Sequence, residues 1–110
     1  MDFTERSEKN YLVLEPTGRL NLVAARPLKA RIADLARGGQ ANLVVDLAGV
    51  DFIDSSGLGT LVTGRRAAQQ AGGDLRIANA CDQVQAVLKL TNLDQILTPH
   101  DSVAKAADGW

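Results

Sequence analysis

The segment Val50–Gly59 contains the residues of this chain whose types and spacing could support chemistry. Within it, Asp54, Ser55 and Ser56 place two hydroxyl groups beside a carboxylate, after a predicted strand and at the start of a predicted helix. A serine at such a position can cap the helix, because its oxygen accepts a hydrogen bond from a free backbone amide. It can also receive a phosphoryl group, because the amides and dipole of a helix start tolerate an anion. The sequence leaves both interpretations open: a structural cap and a phosphorylation site.

The glycines that follow favour an interaction surface over a cap alone. Gly57 and Gly59 lie in the first helical turn, where each costs roughly 1 kcal/mol relative to alanine. Bare backbone there would let another molecule approach the helix start. Leu58, between them, is expected either to contact that molecule or to fold back into the core. A phosphate on Ser55 would add about −1.5 to −2 charges at the contact and expel a docked partner.

The bulk composition is that of an ordinary globular protein, with 45% hydrophobic and 23% charged residues in a chain of 110. This length suffices for one domain with a modest core. The net charge is −1, so the chain lacks the basic field that nucleic acids or an anionic membrane surface require. We find no apolar run typical of a signal sequence or a membrane span. We therefore expect a cytoplasmic protein without membrane insertion.

The remaining reactive side chains do not form a recognisable site. The single Cys81 excludes an internal disulfide and is interpreted as an inert thiol near a helix start. The single His100 excludes a histidine metal cluster. Residues 57–59 resemble a dinucleotide loop, but Val62 stands where that loop needs glycine or alanine. Because a serine hydrolase elbow and a general base are also missing, we predict no cofactor, no metal and no catalysis.

Strands and helices alternate along the chain. Continuous apolar runs predict strands at 11–14, 43–45 and 75–78, the first of them ending in a turn at 15–18. Helical spacing predicts helices over 28–36, with Pro27 in the opening turn, and over 57–71, 84–88 and 101–107. This alternation indicates one α/β layer structure, in a single domain over residues 1–110.

From Val44 through Gly59 the chain resembles the STAS-domain family, and within it the bacterial anti-sigma factor antagonists. The resemblance extends to residues 17–21, to the glycines before the strand at Leu75, and to residues 88–93. It covers nearly the whole chain in order. It implies a four- or five-stranded mixed sheet with helices packed mainly on one face.

The resemblance also implies partner switching. In the family, the unphosphorylated antagonist binds an anti-sigma factor that is also a serine kinase, which frees the sigma factor. Phosphorylation from ATP ends the binding, and a serine phosphatase resets the antagonist. The phosphorylated serine of the family matches Ser55. The residues implied to bind the partner come from this segment and from a second loop: Asp54, Ser56, Gly57, Leu58, Gly59 and Thr60, with Gly18, Arg19 and Asn21.

The second loop departs from the family pattern, and other functions stay open. The family usually carries acid-Leu-Asp after the loop glycine, whereas this chain has Arg19-Leu20-Asn21. The loss of two carboxylates either weakens the positioning of the acceptor or marks a partner of complementary charge. One alternative function is a non-switching STAS accessory subunit of a membrane lipid transporter ATPase. A second, a small enzyme acting through Ser55, lacks a general base.

Overall fold

The structure is a computed structural model that describes residues 3–110, and a mixed six-stranded sheet forms its centre. The strands are β1 (Phe3–Ser7), β2 (Leu12–Leu20), β3 (Asn42–Asp46), β4 (Gly49–Ile53), β5 (Asp74–Ala78) and β6 (Pro99–His100). The helices are α1 (Leu22–Arg37), α2 (Ser55–Gln70), α3 (Asp82–Leu90) and α4 (Val103–Ala106), with a 3₁₀ turn at Leu93–Gln95. The predicted α/β class is confirmed, and the two-residue β6 brings the sheet to six strands.

The long strand β2 organises the sheet. The strand order is β1-β2-β3-β5-β6, and β4 pairs with β2 alone. β1 runs antiparallel to β2, whereas the other pairs are parallel. β2 pairs with β3 through Leu12–Leu14 and with β4 through Thr17–Leu20. The carboxyl ends of β2 and β4 therefore lie side by side, and each leads directly into a helix.

The predicted turn at 15–18 is wrong, because β2 continues through it. The register between β2 and β4 shifts between Gly18 and Arg19, and Gly18 has a φ of +93°. A glycine in that conformation is typical of a β-bulge, and proline is tolerated in a strand beside one. The Pro-Thr-Gly signal thus marks a bulge within a strand. β1 and β4 were not predicted, because their exposed polar residues interrupt the apolar runs.

Helix α1 begins well before the predicted start at residue 28. The side-chain oxygen of Asn21 caps it by accepting the Ala24 N–H at 3.2 Å. Pro27 lies inside the helix rather than in its opening turn, where it forgoes a hydrogen bond to the Val23 carbonyl. The sequence does not reveal this start because Leu22 and Val23 are 57% and 76% exposed, outside the apolar stripe.

Helices cover both faces of the sheet, and most of them lie on one face. On the larger face, α1, α2 and α3 bury their apolar stripes against β2, β3, β4 and β5, as predicted; fully buried members include Leu14, Leu28, Ile32, Leu61, Ile77 and Leu88. On the other face, Val13 and Val44 pack against Ala106 and Ala107 beside α4. A strand buried on both faces is expected to be continuously apolar, which explains the run at 43–45.

An ion pair joins the edge strand β1 to helix α1. Arg31 donates two hydrogen bonds to the Glu5 carboxylate, one of them from Nη2 at 2.8 Å. These hydrogen bonds lower the pKa of Glu5 below its ordinary value of 4.5. A lowered folded-state pKa means that the carboxylate stabilises the fold above the unfolded-state pKa. That stabilisation is lost as the pH falls through the folded-state pKa.

We expect Glu5→Gln to lower the urea midpoint of unfolding at pH 7, because Arg31 loses its charged partner. The effect should be small, since the pair lies at the surface. At a pH below the folded-state pKa of Glu5, the variant and the original chain should have the same midpoint. Asp108→Asn, an exposed position whose side chain has no ion pair among residues 3–110, is the control. A difference that persists unchanged at low pH would contradict this assignment.

Candidate functional site

The start of α2 is capped by Asp54. Its side-chain Oδ1 accepts the Gly57 N–H at 3.0 Å, and its backbone is extended. Its backbone carbonyl accepts the Leu58 N–H, also at 3.0 Å. The interpretation of Ser55 or Ser56 as the helix cap is therefore wrong, because the carboxylate before them performs that role.

The two serines differ in accessibility. Ser55 is the first residue of α2 and is exposed, and its hydroxyl has no hydrogen-bond partner within residues 3–110. Ser56 is half-buried, and its carbonyl accepts a hydrogen bond from the Thr60 hydroxyl at 3.1 Å. The exposed hydroxyl of this segment thus belongs to the serine directly after the capping aspartate.

Gly57 is required by packing within the chain itself. A Cβ added there would lie 2.3 Å from the Leu20 carbonyl oxygen and 2.8 Å from Cγ1 of Ile53. Gly59 is different: it is exposed, and an added Cβ would meet nothing within 4 Å. The interpretation that both glycines leave the helix start bare is therefore wrong for Gly57, whereas Gly59 does present open backbone.

Three residues predicted to bind the partner are buried. Leu58 and Thr60 are each 4% exposed, and Gly57 is buried as well. Leu58 folds back into the main core, which resolves the alternative left open by the sequence. The Thr60 hydroxyl is turned toward α1, 3.5 Å from the Ala25 carbonyl. Burial therefore corrects the prediction for Gly57 and Leu58, which lie beneath the predicted docking face, and leaves Thr60 very little exposed surface there.

The second predicted loop lies beside the first. Gly18 and Arg19 are exposed at the end of β2, and the Arg19 guanidinium carbon lies 4.0 Å from the centre of the Phe52 ring. The Asp54 N–H donates to the Leu20 carbonyl at 3.4 Å. The half-buried Asn21 has a structural role as the α1 cap. The structure therefore brings both predicted contact regions to one edge of the sheet.

Helix α3 holds the same edge from another side. The side-chain amide of Gln83 donates to the Ile53 carbonyl at 3.1 Å, and its oxygen accepts the Ile53 N–H at 2.9 Å. This pair ties the end of β4 to the start of α3. The sequence analysis missed Gln83, because nothing local to the residue indicates a contact with a strand so far back along the chain.

A groove between α1 and α2 opens next to the serines. Its volume is about 350 Å³. It is lined by Leu22, Ala25, Arg26, Lys29, Ser56, Gly59, Thr60 and Thr63. Leu22, Ala25 and Arg26 were missed because the helix was predicted to start at residue 28. Asn21, a residue type favoured at helix caps, was the signal that could have revealed them.

Other reactive groups lie apart from this edge or form no site. Cys81 is half-buried directly before α3. Among residues 3–110, no three His, Cys, Asp or Glu side chains lie close enough together to hold a metal ion. In the same part of the chain, no helix combines the length and apolar character needed to cross a membrane.

The two glycines of α2 provide a matched pair for testing the packing. We expect Gly57→Ala to lower the free energy of unfolding by about 2 kcal/mol, because the new methyl group overlaps the Leu20 carbonyl. Gly59→Ala should leave it unchanged or raise it by up to about 1 kcal/mol, because alanine favours the helix and the space is open. Urea denaturation followed by circular dichroism measures both. Equal effects of the two substitutions would contradict the described contact.

Comparison with known proteins identifies the family. The model of the STAS domain matches residues 3–106. A candidate anti-sigma factor antagonist of Thermotoga maritima is 30% identical over 100 residues, which cover 90% of this chain and 88% of that protein. The anti-sigma-B factor antagonist of Bacillus subtilis is 27% identical over 104 residues, covering 94% of this chain and 92% of the relative.

Solved structures agree with this result. The crystal structure of a candidate anti-sigma factor antagonist from Thermotoga maritima superposes with a TM-score of 0.88 at 28% identity. The match covers 94% of this chain and 90% of that one. The relatives that match this chain over nearly its whole length are thus named anti-sigma factor antagonists. The chain belongs to the STAS-domain family.

Proposed function

We propose that this protein is an anti-sigma factor antagonist that switches partners through phosphorylation of Ser55. The unphosphorylated form binds an anti-sigma factor with serine kinase activity, and the sigma factor is released. Phosphorylation ends the binding, and a serine phosphatase restores it. The names of the relatives support the general role. The observation that carries the switch is the exposed, unpartnered hydroxyl of Ser55 at the start of α2.

The phosphoryl transfer uses the chemistry of the kinase. The Ser55 Oγ attacks the γ-phosphorus of ATP held by the partner, and the bond to the bridging oxygen breaks so that ADP leaves. The hydroxyl proton passes to a base of the kinase. The nearest carboxylate, on Asp54, is already engaged by the Gly57 amide. This chain therefore acts as the substrate and supplies the acceptor in a fixed position.

The fold tolerates the modification. The first turn of α2 contains no acidic residue, and its amides and dipole favour an anion at this end of the helix. A docked partner instead meets about −1.5 to −2 additional charges and three bulky oxygens. A loss of roughly 3 kcal/mol at the contact would weaken binding about a hundredfold. The protein thus stays folded while it releases its partner.

The partner contacts the exposed part of the edge. Gly18, Arg19 and Gly59 are exposed around Ser55, and Ser56 lies at the side of the groove. The buried residues beneath keep this surface in place. Because sigma factors act on RNA polymerase, we expect the protein in the cytoplasm.

Substitutions at the two serines test the switch. With a purified serine-kinase anti-sigma factor and ATP, we expect the original chain to become phosphorylated on Ser55 and to dissociate. Ser55→Ala should stay bound, because it has no acceptor oxygen. Ser55→Asp should bind at least about tenfold more weakly, because it adds a charge. Ser56→Ala, at the adjacent half-buried serine, is the control for the acceptor and should still be phosphorylated on Ser55 and dissociate.

Two results would contradict the proposal. Equal binding of the original chain, Ser55→Ala and Ser55→Asp would show that charge at this position does not control the contact. Constitutive binding to a membrane lipid transporter ATPase, without phosphoserine by mass spectrometry, would instead identify a non-switching accessory subunit.

A further inference from the structure

The groove beside Ser56 has a positively charged lining, although the whole chain has a net charge of −1. Its lining contains two bases, Arg26 and Lys29, and no acid, a charge of +2, and a third base, Arg19, lies at the end of β2. The bases are Arg19, Arg26 and Lys29, and all three are exposed. We call these three side chains the basic rim. The rim concentrates positive charge beside the phosphorylation site.

The bases of the rim have no ion-pair partners among residues 3–110. Farther along α1, by contrast, Arg31 pairs with Glu5 and Arg37 pairs with Asp34. The charge of the rim is therefore not neutralised within the described part of the chain. Arg19 is held above the Phe52 ring, which leaves its guanidinium at a fixed place on the surface.

Apolar side chains accompany the rim. Leu22 and Val23 are large hydrophobic residues, 57% and 76% exposed, at the start of α1. Leu22 also lines the groove of about 350 Å³ between α1 and α2, together with Arg26 and Lys29. An apolar centre surrounded by polar and charged residues is the usual composition of a protein–protein contact.

Both adjoining helices add to the positive potential. α1 and α2 begin at the same edge of the sheet, and neither has an acidic residue in its first turn. The amino-terminal end of each helix dipole is positive. Asp54 accepts the Gly57 amide, and the exposed acids Asp51 and Asp82 do not line the groove. The charge that a partner meets at the groove is therefore dominated by the rim and the two helix starts.

We infer that the anti-sigma factor which this chain binds presents an acidic surface with apolar residues to the basic rim and to Leu22 and Val23. This inference rests on the proposed function and specifies the partner chemistry. It also explains how phosphorylation acts. A phosphate on Ser55 contributes about −1.5 to −2 charges, which offsets the +2 of the groove lining. The modification thus removes the attraction for an acidic partner.

Charge reversal of the rim is the test. The probes are the serine-kinase anti-sigma factors encoded in the source genome, each purified and assayed for binding by surface plasmon resonance. We expect Arg26→Glu combined with Lys29→Glu to slow association about tenfold at about 50 mM salt, with a much smaller effect at about 500 mM. Val23→Ser, which keeps every charge, should accelerate dissociation several-fold.

The matched control is Arg66→Glu combined with Lys89→Glu. It makes the same change in charge at two exposed positions outside the rim, neither of which has an ion pair among residues 3–110. This control should alter association less than twofold. Thermal unfolding of each variant establishes that all of them are folded.

The outcomes separate this inference from the proposed function. If a kinase-type anti-sigma factor binds and phosphorylates Ser55, but reversal of the rim leaves association unchanged or accelerates it, the inference is wrong and the function stands. If none of these anti-sigma factors binds the original chain, both are wrong. If reversal of the rim slows association and the control variant does not, the result supports both the inference and the proposed function.

Discussion

The close contact between Gly57 and the Leu20 carbonyl is the constraint on which the site depends. The backbone of α2 lies so near the end of β2 that a single methyl group would not fit between them. The same carbonyl accepts the Asp54 N–H. Because the contact sets both the distance and the direction of the helix start, it determines that Asp54 turns inward to cap and that Ser55 faces outward.

The residues that build the site and the residue that would switch it are separate. Gly57 and Leu58 are buried and Asp54 accepts a hydrogen bond from the Gly57 amide, so these three residues form the rigid framework of the helix start. The Ser55 side chain is not part of that framework, because its hydroxyl has no hydrogen-bond partner among residues 3–110. A chemical change at Ser55 can therefore alter the surface without disturbing the packing. This division is what a reversible binding switch requires.

Local patterns predicted the elements whose burial is periodic, and long-range contacts explain the rest. The run at 43–45 appears in the sequence because its strand is buried on both faces, and the stripe around Leu61 because burial repeats with the period of a helix. The start of α1 is not recognisable from the sequence pattern, because Leu22 and Val23 are exposed. The role of Gly57 depends on Leu20, far away in the sequence, so spacing alone led to the wrong interpretation. Ser55 was predicted as the acceptor from the family resemblance; its side chain is exposed, and its role as the acceptor stays a prediction.

The most direct measurement compares amide hydrogen exchange in the phosphorylated and unphosphorylated protein. The Gly57 amide donates to the Asp54 side chain and the Leu58 amide to its carbonyl, so both report on the start of α2. If the switch acts only at the surface, both amides keep their protection while affinity for the anti-sigma factor falls about a hundredfold. Loss of their protection on phosphorylation would show that the modification unfolds the helix start, which contradicts a surface switch.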